Sequence, residues 1–83
     1  MDLLVGKVTH YYEKIGVAIL EVQNQPVKIG DQLKFSGHGQ EFIQKVDSLQ
    51  QEHKIINQAD PGMVVGLKVN QKVKEKDQVF LVS

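Results

Sequence analysis

Two stretches of this chain are written in nearly the same words. Val27-Lys28-Ile29-Gly30-Asp31-Gln32-Leu33 and Val73-Lys74-Glu75-Lys76-Asp77-Gln78-Val79 share the pattern Val-Lys-x-x-Asp-Gln-aliphatic over seven positions. In the first, an apolar pair leads into a Gly-Asp turn, and Gln32 to Phe35 then alternates polar and apolar as a half-buried strand does. Gly30 is the natural residue where the backbone must take φ > 0 before a strand. Lys76 stands where Gly30 stood, so the second turn is either of another type or holds Lys76 under strain. A chain that meets the same turn-to-strand need twice within 83 residues is pointed towards a β-barrel.

The remaining segments agree with that reading. Leu3 to Tyr12 is rich in β-branched and aromatic residues and reads as a strand, with Gly6, Val8 and His10 on one face and Lys7, Thr9 and Tyr11 on the other. Glu13-Lys14-Ile15-Gly16 is a tight turn. Val17 to Val22 is a strand that stays apolar on both faces as far as Glu21, which implies partial cover on its outer side. Glu41 to Leu49 is a strand in which Leu49 falls out of step, so a bulge is expected near Asp47-Ser48. Gln50 to Lys54 is polar, with room for a helical turn but no apolar stripe. Ile55-Ile56 begins another short strand. Asp60-Pro61-Gly62 is turn chemistry. Met63, Val65 and Leu67 alternate, leaving Gly66 on the opposite face. Gln78 to Val82 is the last strand. The expected fold is all-β: one domain over residues 1–83, a small closed barrel of about six to seven antiparallel strands.

Composition narrows the functional classes. All ten cations are lysine, balanced by ten acids, and there is no cysteine. Without arginine or net positive charge, tight sequence-specific nucleic-acid binding is disfavoured. Without cysteine there is no disulfide or thiolate metal site. No apolar run approaches a membrane span, and the first residues carry an acid and too short an apolar run for a signal peptide. A soluble, cytoplasmic protein without a membrane partner is the expectation. No Gly-x-x-x-x-Gly-Lys-Ser/Thr loop occurs, so GTP binding is not expected. His10, His38 and His53 lack ligand spacing. Ser36 or Ser48 with His53 and Asp47 or Asp60 lacks a nucleophile elbow. The reading is therefore non-enzymatic, with no catalytic residue, no metal and no cofactor. Lys68, Lys72, Lys74 and Lys76 make a local basic run that reads as a solvated loop keeping an edge strand from pairing with other chains.

The ordered set Gly6-Lys7-Val8, Val27 to Leu33, Ala59 to Leu67 and Lys76-Asp77-Gln78-Val79 resembles the β-barrel domain II of translational GTPases of the elongation factor Tu and G type. Gly6 to Tyr12, Lys14 to Ala18, Gly37-His38 and Glu52-His53 look closer still to small stand-alone translation elongation factor-like proteins. A similar barrel ends some collagenase-like peptidases. The first resemblance implies a binding module for RNA, tRNA or the ribosome. It marks Gln50, Glu52, His53, Gly66 and Lys68 as a binding surface, beside the aromatic and cationic Lys7, His10 and Tyr12. The alternative is a protein-interaction domain acting beside a separately encoded enzyme, such as a collagenase-like peptidase.

Overall fold

The repeated stretches build the same device twice. In the computed structural model, which describes residues 2–37 and 39–82, Asp31 N–H donates to the Lys28 carbonyl at 3.1 Å while the Asp31 carboxylate accepts from Lys28 N–H at 2.9 Å. Asp77 makes the matching pair of bonds with Lys74, at 3.2 and 3.0 Å. Gly30 and Lys76 both occupy the position that needs positive φ, at 98° and 74°. Each turn is then clamped to a neighbouring strand by two backbone bonds. Gly30 N–H donates to the Val46 carbonyl and Val46 N–H to Asp31; Lys76 N–H donates to Val8 and Val8 N–H to Asp77. Val27 and Val73, which open the two stretches, are both buried.

This equivalence yields a prediction. A left-handed backbone suits glycine and strains a residue with a Cβ. Lys76→Gly should raise unfolding stability by about 1 kcal/mol, and Gly30→Ala should lower it by about the same amount. No heavy atom lies within 4 Å of a Cβ built on Gly30, so the cost is conformational rather than steric. Urea denaturation of both variants checks the pair; midpoints that move in the same direction would contradict the shared turn.

From these clamps the rest of the topology follows. The strands are β1 Asp2–Tyr12, β2 Val17–Val22, β3 Val27–Lys28, β4 Gln32–Gly37, β5 Gln40–Lys45, β6 Leu49–Gln51, β7 Lys54–Ile56, β8 Gln58–Ala59, β9 Val64–Lys68 and β10 Gln78–Val82. Eight of them form one sheet in the order β5-β4-β10-β1-β2-β9-β6-β7, and β3 pairs with β8 as a separate two-stranded ribbon. Every pairing is antiparallel among the described residues, which hold no helix.

The all-β expectation stands, but the closed barrel does not: β5 and β7 are edges, and no ladder joins them. Side chains and turns bridge the seam instead. The buried Gln44 side chain donates to the Lys68 carbonyl at 2.8 Å and accepts from Asn70 N–H at 2.7 Å. Ile29 N–H, which donates to the Asn57 carbonyl at 3.2 Å, continues the β3–β8 ribbon. The Gln44 amide satisfies the Lys68 carbonyl and the Asn70 N–H at the end of β9.

Two bulges, between Leu4 and Gly6 and between Val8 and His10, break the alternation of β1. An added residue flips every side chain beyond it. His10 therefore leaves the face of buried Val8 and is exposed, while Tyr11 packs on the core and Tyr12 points outward. The expected single strand over Glu41 to Leu49 divides at Val46-Asp47-Ser48, so that β5 pairs with β4 and β6 with β9. That break, rather than a bulge, accounts for Leu49. The core beneath is one cluster, in which Leu20, Leu33, Phe35, Leu49 and Leu67 are fully buried. On the outside, Lys34 bridges the Asp2 carboxylate and the Phe80 ring, tying β4 to β1 across β10. Their shared hydrogen bond lowers the Asp2 pKa and raises that of Lys34. The Asp2 contribution is present above its ordinary value and fades as acid titrates it. The Lys34 contribution fades only in strong base.

Candidate binding groove

The apolar residues on the outer face of β2 are the starting point. Ala18, Leu20 and Val22 enter the core, which leaves Val17 and Ile19 on the other side of the sheet. No element covers that side among the described residues. Cross-strand pairing sets Ile19 opposite Gly66 and Gly66 opposite Gln50, so these three lie in one row across β2, β9 and β6. Because Gly66 has no side chain, the row dips there. A Cβ on Gly66 would stand 3.4 Å from Val17 Cγ1 and 3.6 Å from Ile19 Cδ1, ordinary to slightly tight contact. The glycine is therefore not forced by packing beneath it; its effect is to lower the floor.

Two turns supply the walls. The turn between β1 and β2, held by Gly16 N–H donating to the Tyr12 carbonyl at 2.9 Å, carries Tyr12 and Ile15 to the rim. The β6–β7 hairpin contributes Gln50, Gln51, Glu52 and His53. The resulting groove encloses about 460 Å³, with Val17, Ile19, Val64 and Gly66 on its floor. The exposed apolar residues gather here. Of the seven exposed large hydrophobic residues among the described ones, Tyr12, Ile15 and Val64 line the groove, and Ile55, 76% exposed, sits opposite Gln50 on the same face. A contiguous apolar patch of this kind marks a contact surface more often than scattered single residues do.

The hairpin tip is conformationally unusual. Glu52 and His53 both take positive φ, 51° and 67°, as a two-residue type I′ turn requires. Asn-Gly is the ordinary choice for that turn; Glu-His carries strain. Residues kept in such conformations concentrate at binding sites. The polar tract over Gln50 to Lys54 is thus a strand, a tight turn and the start of another strand, with no helical turn.

The structure gathers five of the eight residues marked in the sequence: Gln50, Glu52, His53, Gly66 and Tyr12 line the same groove. Lys68 lies just outside it, lining a smaller depression with Ser48 and Gln50. His10 stands behind Tyr12, ring centroids 4.7 Å apart, with Nδ1 3.5 Å from a Glu75 carboxylate oxygen. Lys7 is exposed opposite Glu21 and Gln78 and is no part of the groove lining. The sequence reading missed Ile15, Val17, Ile19 and Val64, although the two-faced apolar pattern of Val17 to Val22 was their signal. Among the described residues no cluster of three or more His, Asp or Glu side chains could hold a metal. His38 lies outside the described residues.

No protein-family model matches the chain. It is 35% identical over 79 residues to an uncharacterized protease of Methanocaldococcus jannaschii, and 29% identical over 79 residues to a collagenase of Porphyromonas gingivalis. Each alignment covers 94% of this chain, which spans 19% of the relative's length. The fold superposes on the crystal structure of the C-terminal domain of a putative U32 peptidase of Geobacillus thermoleovorans with a TM-score of 0.90 at 21% identity, covering 98% of this chain and 93% of that one. The selenomethionine variant of the same domain gives 0.86 at 23% identity. These findings correct the translation elongation factor-like reading, and the RNA-binding expectation that rested on it falls as well. The chain has the fold of a peptidase's C-terminal domain, and its sequence is similar to about one fifth of a protease and of collagenases.

Proposed function

We propose that this chain is a non-catalytic protein-interaction domain that acts beside the catalytic unit of a collagenase-type peptidase, using the outer face of its sheet. The observation that carries the reading is the uncovered apolar groove around Gly66, in a chain whose sequence similarity to a protease and to collagenases runs over 94% of its length. A β-sheet face that stays apolar without a covering layer stabilises a partner's side chains by about 25 cal/mol per Å² of apolar surface removed from water. The ionisable side chains lining the groove are Tyr12, Glu52 and His53, with no serine, cysteine or aspartate among them. That set suits recognition better than nucleophilic attack. Sedimentation velocity with a collagenase-type catalytic unit from the same organism tests the reading, together with a gelatin-hydrolysis assay. The chain should co-sediment with the catalytic unit and leave gelatin intact when alone. Hydrolysis by the chain alone would overturn its non-catalytic role, and independent sedimentation would overturn the partnership.

A further inference from the structure

We infer that the groove docks an extended segment of the peptidase catalytic unit in which a lysine or arginine stands next to a large apolar residue. The inference rests on the partnership proposed above and adds the chemistry of the occupant. Glu52 carries the one permanent formal charge among the residues lining the groove. Its carboxylate makes no ion pair or hydrogen bond within the described residues. Glu52 takes positive φ in the hairpin turn that forms one wall of the groove. A cation from the partner would complement that carboxylate, and such complementarity sets specificity more than raw affinity. Beside it, the floor of Val17, Ile19 and Val64 with the dip at Gly66 accepts one large apolar side chain. The Gln50 and Gln51 amides at the hairpin can both donate to and accept from an extended backbone. The occupant is assigned to the enzyme because this chain matches only 19% of each relative, so that there the matched segment is joined to a much larger body.

Nuclear magnetic resonance titration of the labelled chain with three capped heptapeptides tests the chemistry. The peptides are identical except for one residue beside a phenylalanine: lysine, glutamine or glutamate. Amide shifts should centre on Tyr12, Ile15, Glu52 and Gly66, with affinity falling from lysine to glutamine to glutamate by about three- to fivefold a step, the scale of an exposed ion pair. Glu52→Lys should invert that order. Gly66→Val, whose side chain would rise from the floor, should weaken all three peptides about tenfold. An order that Glu52→Lys leaves unchanged, or shifts centred away from the groove, overturns the proposal. The source is read by sedimentation of wild type and Glu52→Lys with the catalytic unit, and by their capture on gelatin. Weaker co-sedimentation of Glu52→Lys supports the enzyme as occupant. Equal co-sedimentation overturns this docking site while the partnership itself stands. Glu52-dependent capture on gelatin alone overturns the assignment to the enzyme.

Discussion

Gly6→Ala is expected to destabilise the domain by about 3 kcal/mol. Gly6 is buried in β1, directly after a bulge, with Val22 on one side and Val79 on the other. A Cβ there would overlap the Glu21 carbonyl oxygen and crowd the Gln23 amide nitrogen. Both obstacles are backbone, so no side chain can rotate away and β1 would have to separate from β2. The same corner holds Gln23 and Asn24 N–H, which both donate to the Val5 carbonyl at 2.8 and 2.9 Å. Separation would strain those bonds as well. For a domain of this size the loss is a large share of the roughly 4–12 kcal/mol available. In urea it should appear as a midpoint lowered by about 2–3 M, given a slope near 1 kcal/mol per M. A midpoint within about 0.5 M of wild type would mean that β1 and β2 lie farther apart than described.

Phe35→Ala should cost about 4 kcal/mol, the usual loss for a fully buried aromatic. Phe35 is 1% exposed and stacks on Phe42 with ring centroids 5.0 Å apart and planes inclined by 7°. Its equivalent in the second repeat is Leu81, which packs on the core but is only partly buried. Leu81→Ala should therefore cost clearly less, about 2 kcal/mol, because part of the space it leaves is already open to water. Thermal unfolding of the two variants decides the matter. Equal losses would mean that the two halves of the repeat share the core evenly, contrary to the burial pattern.

Much of the fold was legible because the repeated stretch dictates its own local structure. Asp31 and Asp77 each accept from the N–H three residues back, and the valine that opens each stretch is buried. The strands β4 and β9 follow from alternation, and β1 and β2 from their β-branched and apolar content. Features set by tertiary pairing were not legible. The bulge at Thr9 moved His10 out of the row assigned to it, and nothing in Val8-Thr9-His10 announces an extra residue. The division at Val46 arises because Val46 is clamped by Gly30 and Asp31, which are distant in sequence. The Glu52-His53 turn lacks the glycine or asparagine that normally signals positive φ.

The candidate site was half legible for a related reason. Gly66 and the polar hairpin stood out as exceptions to strand pattern, and the sheet does bring them together. Lys68 comes from the resemblance to translation factors and Lys7 from its place beside Tyr11, Tyr12 and His10, and neither lines the groove. The residues carrying that resemblance, among them the Gly30-Asp31 and Lys76-Asp77 turns and the Asp60-Pro61-Gly62 corner, answer folding needs that unrelated functions share. They report the architecture and leave the partner open. Closure of the barrel is not legible in the sequence: antiparallel strands and tight turns are common to closed and open sheets, and only the pairing of β5 and β7, absent here, distinguishes them.

Hydrogen–deuterium exchange of the chain, alone and with a peptidase catalytic unit, reads segment by segment whether the proposed partner docks on the outer face around Gly66. Added protection is expected over residues 12–19, 50–55 and 64–66, with exchange at the opposite edge around Ile43 unchanged. Protection centred on β5 and Ile43, with the groove segments exchanging as in the free chain, would contradict that docking.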